Sequence, residues 1–296
     1  TEIIIQCANY THYYSGMYYP PAVGTPGSIA RLISARLTVY GLLCFASLAA
    51  ALSNLALWVL GRGRLTRLLG LLCTAYALRM AYPFLRALGV PAIRPLYAVE
   101  DLCAAAVLLC AILLAGELSG AAQLGYHRRA AVPAAAAMCA ACVVFPVFII
   151  PYAPRLINSY GLLLTIWKLL AGIYLILLSA RALRMRSPLG RYLLCASGLY
   201  GFLVAASALT ANYLEPARGA WPEELGGFAL VAGFAALMVR RGMLLISENR
   251  RLNANLSKEV ERKTRVLETL LDERRELLAT LVHDLKNPLA AVRSYA

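Results

Sequence analysis

Residues 223–263 read EELGGFALVAGFAALMVRRGMLLISENRRLNANLSKEVERK, and the two halves of that stretch are made of different material. From Glu223 to Leu245 the chain is apolar, and a run of about twenty such residues suffices to cross the hydrocarbon core of a bilayer. Arg240 and Arg241 close the run, and from Ile246 onward charged residues take over, with no helix breaker before Pro288. A helix that leaves a membrane and continues into water sets the expected fold class: an all-α membrane protein, a transmembrane bundle followed by a rod.

Working back towards the N-terminus, six further runs meet the same length criterion. With the last they give seven expected spans, at residues 37–60, 66–88, 96–118, 131–151, 157–180, 192–214 and 223–245. The composition agrees: of 296 residues, 60% are hydrophobic, well above a soluble domain. The net charge is +14, yet most of the arginine lies in short loops beside apolar runs, which argues for membrane orientation and against nucleic acid as a partner. Seven of the eight cysteines (all but Cys7) fall inside apolar runs and read as small buried hydrophobes, with no disulfide framework and no metal-ligand company.

Arginine also sets the expected topology. Arg62, Arg64 and Arg67, then Arg128 and Arg129, then Arg181, Arg184, Arg186 and Arg191 mark one set of loops as cytoplasmic. The opposite loops carry Arg94, Arg155 and Arg218, diluted by Glu215, Glu223 and Glu224. An odd number of spans then places the N-terminus outside and the C-terminus inside, with Tyr213 and Trp221 at an outer aromatic belt. Residues 1–36 are expected outside. Ile3-Ile4-Ile5 reads as a strand, and Asn9, Ser15-Gly16, Pro20-Pro21, Gly24 and Pro26-Gly27 as turns. One strand cannot fold alone, so the segment is expected to be the remnant of an extracellular β domain. Thr1 at the start and a pattern broken at Ala296 suggest a piece of a longer protein.

Charge inside a bilayer is costly and calls for a partner or a purpose. Arg79 lies in the second span, Glu100 and Asp101 near the outer end of the third, and Lys168 near the middle of the fifth. An Arg79–Asp101 or Arg79–Glu100 pair is expected, because the second and third spans are sequence neighbours. With Glu100 and Asp101 as further polar candidates, Lys168 and Arg79 form either part of a ligand pocket, or a switch between helix packings, or a structural polar cluster, or side chains that snorkel to the interface. A retinal Schiff base is disfavoured: rhodopsins carry that lysine in the last span, and residues 223–245 contain none.

Beyond the membrane, Leu256, Val260, Leu267, Leu270, Leu277 and Leu281 share a seam with Asn253, Lys263 and Arg274 at alternating spacings of three and four, a heptad pattern. At Leu278, Val282, Leu285, Leu289 and Val292 the repeat shifts by one stutter. Residues 247–274 are therefore expected to form a parallel dimeric coiled coil with polar, weakened positions.

The rod leads into His283-Asp284-Leu285-Lys286-Asn287-Pro288-Leu289. The leucines occupy buried positions, so His283 is expected to project beside the seam. Asp284 adjoins it and Asn287 lies one turn on. Pro288 has no N–H for the carbonyl of Asp284, so a bend is expected there. A neutral imidazole can attack a γ-phosphate, a carboxylate beside it can take the other ring proton, and an amide one turn away can position a water for the reverse reaction.

This heptapeptide resembles the H-box of the dimerisation and phosphotransfer domain of sensor histidine kinases: His, an acid, a hydrophobe, a base, Thr or Asn, Pro, a hydrophobe. It matches at all seven positions, and the likeness covers residues 275–296. The resemblance implies that His283 accepts the phosphoryl group, that Asp284 assists, and that Asn287 serves the phosphatase reaction. Residues 1–246 resemble the seven-transmembrane receptors with diverse intracellular signalling modules. That likeness rests on Ile3-Ile4-Ile5-Gln6, Ala8-Asn9-Tyr10, Ser15-Gly16-Met17 and Gly24, with Ser15-Gly16 where the family often has two glycines. It implies a seven-transmembrane sensor over residues 37–246 of a bacterial cell membrane, a carbohydrate-like or other small-molecule ligand, a homodimer, and a cytoplasmic response regulator that takes the phosphoryl group. ATP and Mg are expected as co-substrates of a catalytic domain that these residues do not include, so residues 1–296 alone are expected not to autophosphorylate. The competing expectation is a non-enzymatic receptor that modulates another kinase. A transporter is disfavoured, because no internal repeat or pair of broken spans stands out.

Overall fold

The computed structural model describes residues 24–89, 94–210 and 220–295, and every element among them is helical. The strand expected at Ile3–Ile5 lies outside the described residues. The chain divides into two units, one ending at Arg240 and one beginning at Arg241.

The first unit is a helical bundle whose seven spans are long and apolar enough to cross a membrane. Helix α1, Pro26–Gly61, starts well before residue 37. The turn expected at Pro26-Gly27 is thus corrected to a helix start, for two local reasons. Proline costs nothing at the first helical position, where its missing N–H has no partner to lose. The Thr25 hydroxyl also caps the first turn by accepting from the Ser28 N–H at 3.3 Å.

The second span, expected as one run, is broken into α2 (Arg64–Met80) and α3 (Tyr82–Ala87). Pro83 explains the break, since it cannot donate to the carbonyl of Arg79 and its ring crowds that oxygen. Helix α4 covers Arg94–Leu118. The fourth span, expected at residues 131–151, is present as α5 (Val132–Val144) between two π-helical turns, His127–Ala131 and Phe145–Ile149. Each turn adjoins or contains a proline, Pro133 or Pro146. Ile150 N–H accordingly reaches back five residues to Phe145 O at 2.9 Å. Helices α6 (Ile157–Arg184) and α7 (Gly190–Thr210) complete the middle of the bundle, and α8 runs from Pro222 to Tyr295.

The bundle is held by one main core that includes Leu69, Leu72, Tyr76, Leu114, Leu175 and Phe234, all essentially buried. The opposite helix faces present Leu42, Phe45, Leu60, Phe202 and Leu209 outward, each more than 60% exposed. Apolar surface on that scale is untenable in water and is what lipid-facing helices require.

Helix α8 packs through glycine. A Cβ built on Gly227 would lie 2.7 Å from the Tyr76 ring, and one on Gly233 would lie 2.3 Å from the Ala196 Cβ. Small residues are what let spanning helices approach this closely. Gly233→Ala is expected to push α7 and α8 apart and cost about 1–3 kcal/mol, read as a lower unfolding temperature in detergent.

The second unit is helix throughout its described length. Leu256, Val260, Leu267, Leu270, Leu277 and Leu281 are each more than half exposed on the single chain. Intrahelical pairs Glu259–Lys263 at 3.8 Å and Glu261–Arg265 support the helix from its polar side. The helix continues through Pro288.

Candidate functional site

Among the described residues, the first turn of α8 is the most densely bonded polar place in the bundle. Trp221 precedes the helix, Pro222 is its first residue, and Glu223 and Glu224 follow. Carboxylates are favoured there because the first turn exposes unpaired N–H groups and the positive end of the helix dipole. Glu224 uses this directly: its Oε2 accepts from the Trp221 N–H at 2.7 Å, one half of a capping box.

Three other helices then converge on the same turn. Tyr40 of α1 donates its hydroxyl to Glu224 Oε2 at 2.7 Å, and Tyr76 of α2 donates to the Glu224 carbonyl at 2.8 Å. Arg79 of α2 forms a salt bridge with Glu223 Oε1. Lys168 of α6 donates to both carboxylate oxygens of Glu223, at 2.9 and 2.8 Å. The Arg79, Lys168 and Glu223 side chains are only 13%, 21% and 20% exposed, so water screens these charges poorly. Two cations, Arg79 and Lys168, thus face two carboxylates, Glu223 and Glu224, within one small region. Removing one partner from such a group is far costlier than never having built it.

The structure corrects the expected ion pair. Arg79 bonds to Glu223, not to Asp101 or Glu100. Asp101 instead accepts the Tyr160 hydroxyl at 2.9 Å, joining α4 to α6. Glu100 is half-buried on α4 and has no hydrogen bond or salt bridge among the described residues. Arg79 and Lys168, expected as members of one polar cluster, are brought together, and the residue that joins them is Glu223. Glu223 and Glu224 count among the loop charges in the sequence, although they open the expected span 223–245. The usable signal is Lys168, a cation inside a span with no acid assigned to it, beside a span that opens on two acids.

Between these side chains lies a cavity of about 10 Å³, lined by Arg79, Lys168, Tyr200 and Glu223 among others. That is room for one water. The Nε of Arg79 is buried with no hydrogen-bond partner among the described residues. In this packing the cluster clamps the head of α8 to α1, α2 and α6.

His283, Asp284 and Asn287 lie on α8, and their side chains fall outside those described. Among the described residues, no group of three or more His, Cys, Asp or Glu side chains could hold a metal ion. Comparison with protein-family models, with curated proteins and with solved structures found no match.

Proposed function

We propose that the chain is the membrane sensor of a two-component histidine kinase, carrying its phospho-accepting residue, His283. One observation supports this reading above the others: a single helix, Pro222–Tyr295, begins at the buried ion clamp and includes the seven-residue His283 motif. A stimulus that loosens Glu223 from Arg79 and Lys168 frees the head of that helix from α1, α2 and α6. The row of exposed leucines and valines on the rod suits pairing with a second copy in parallel, in which rotation or sliding of the helices alters access to His283. The N-terminus then lies outside and the rod in the cytoplasm, as the arginine distribution favours.

The proposed chemistry is phosphoryl transfer. An imidazole nitrogen of His283 bonds to the γ-phosphorus of ATP, the bond to the bridging oxygen breaks, and ADP leaves. Asp284 holds the proton of the other ring nitrogen. An aspartate of a response regulator then takes the phosphoryl group, and Asn287 positions the water that later removes it. The test is full-length protein in nanodiscs with γ-labelled ATP. Acid-labile, alkali-stable label on the protein is the expected result, and ATP binding without such label overturns the reading.

A further inference from the structure

At the other end of the bundle, the end of α6 with its turn into α7, α7 itself and α8 border an open cavity of about 670 Å³. That is within the range of sites that hold small molecules. Its lining carries Arg186, Arg191 and Arg240, one from each bounding stretch, and no acidic residue. All three guanidiniums are exposed and none has a salt bridge among the described residues.

The backbone holds Arg186 in place at a cost. Helix α6 ends in a Schellman turn, with Ser187 N–H to Ala182 O at 3.1 Å and Arg186 N–H to Leu183 O at 3.0 Å. Arg186 takes the left-handed position of that turn, φ 54°, where glycine is the usual occupant. Gly190 makes the turn tight: a Cβ there would meet the Leu183 nitrogen at 2.9 Å.

Apart from Ser187, the rest of the lining is apolar or aromatic: Leu183, Pro188, Tyr192 and Cys195. From Cys195 an exposed stripe continues along α7 through Leu199 and Phe202, at helical spacings of four and three. A basic cavity that opens onto an apolar track matches an amphiphile with an anionic head. A free anion would have no use for the track. Arginine forks suit phosphate oxygens in particular.

We propose that this cavity is a headgroup site for an anionic phospholipid, its phosphate among Arg186, Arg191 and Arg240 and an acyl chain along Cys195, Leu199 and Phe202. Because Arg240 belongs to α8, the bound lipid ties that helix to the α6–α7 turn. The proposal is independent of phosphoryl transfer and stands or falls without it.

The test uses the purified full chain in detergent, titrated with phosphatidylglycerol or phosphatidylcholine and read by native mass spectrometry. One retained phosphatidylglycerol is expected, with phosphatidylcholine held more weakly. Each arginine neutralised is expected to weaken phosphatidylglycerol about fivefold, and all three about a hundredfold. Arg186→Gly separates binding from folding: glycine suits the left-handed turn, so its unfolding temperature is expected to match or exceed that of the parent while phosphatidylglycerol binding falls about fivefold. Phosphatidylglycerol is also expected to slow alkylation of Cys195 by a maleimide, with Cys195→Ala as the reference. Equal retention of the two lipids, or unchanged retention in the Arg186→Gly, Arg191→Gln, Arg240→Gln variant, overturns the proposal. So does protection of Cys195 by inorganic phosphate alone, which would assign the site to a free anion.

Discussion

Glu223→Gln is expected to destabilise the bundle by about 3–5 kcal/mol, a shift of roughly a hundredfold to a few thousandfold in the folded population. The substitution keeps the shape and an acceptor oxygen but removes the one carboxylate shared by Arg79 and Lys168. Both cations then remain desolvated with no bonded counter-charge. Lys168→Met should cost much less, because Arg79 still holds Glu223 and the methionine fills much of the lysine volume. Adding Lys168→Met to Glu223→Gln should recover part of the loss, because one of the stranded cations goes with it. A double-mutant cycle on thermal unfolding in detergent measures this coupling. An unchanged unfolding temperature in Glu223→Gln would mean that the clamp does not hold α8.

His283→Gln in the full-length protein is expected to abolish both the acid-labile label and the signalling output. Glutamine approximates the size of the imidazole and cannot form the phosphoramidate. Asp284→Asn should slow labelling about 10²–10⁴-fold, the usual worth of a positioned acid–base group. Asn287→Ala should leave labelling intact while prolonging the lifetime of the phosphorylated regulator. Signalling that survives His283→Gln would instead identify a receptor that modulates another kinase. The three variants together separate a phosphotransfer residue from a helix-surface residue, since a merely structural role would move all three readouts alike.

The membrane part of the fold was legible because hydropathy is a local property. Seven runs of suitable length sit where seven helices stand. The misreadings concern residues whose meaning depends on context. Pro26-Gly27 has the look of a turn, although proline is at home in the first turn of a helix once a residue such as Thr25 caps it. Pro83 breaks the second span, yet the apolar run passes over it unmarked. The sequence points to the neighbouring span for the partner of Arg79, whereas the fold brings in Glu223, 144 residues further along the chain. Long-range pairing of that kind leaves no trace in a window of twenty residues. The arginines near the α6–α7 turn carry only a topology signal in the sequence, because only the folded turn shows Arg186 held in a conformation that glycine normally takes.

The space of about 10 Å³ among Arg79, Lys168, Tyr200 and Glu223 has a kinetic consequence. No metabolite fits it, so a stimulus molecule acting there could engage only bundles whose helices had already parted. Its observed on-rate would then stop rising with concentration and level off at the frequency of spontaneous opening. Stopped-flow traces would report that ceiling as a property of the protein, the same for every compound that uses the route.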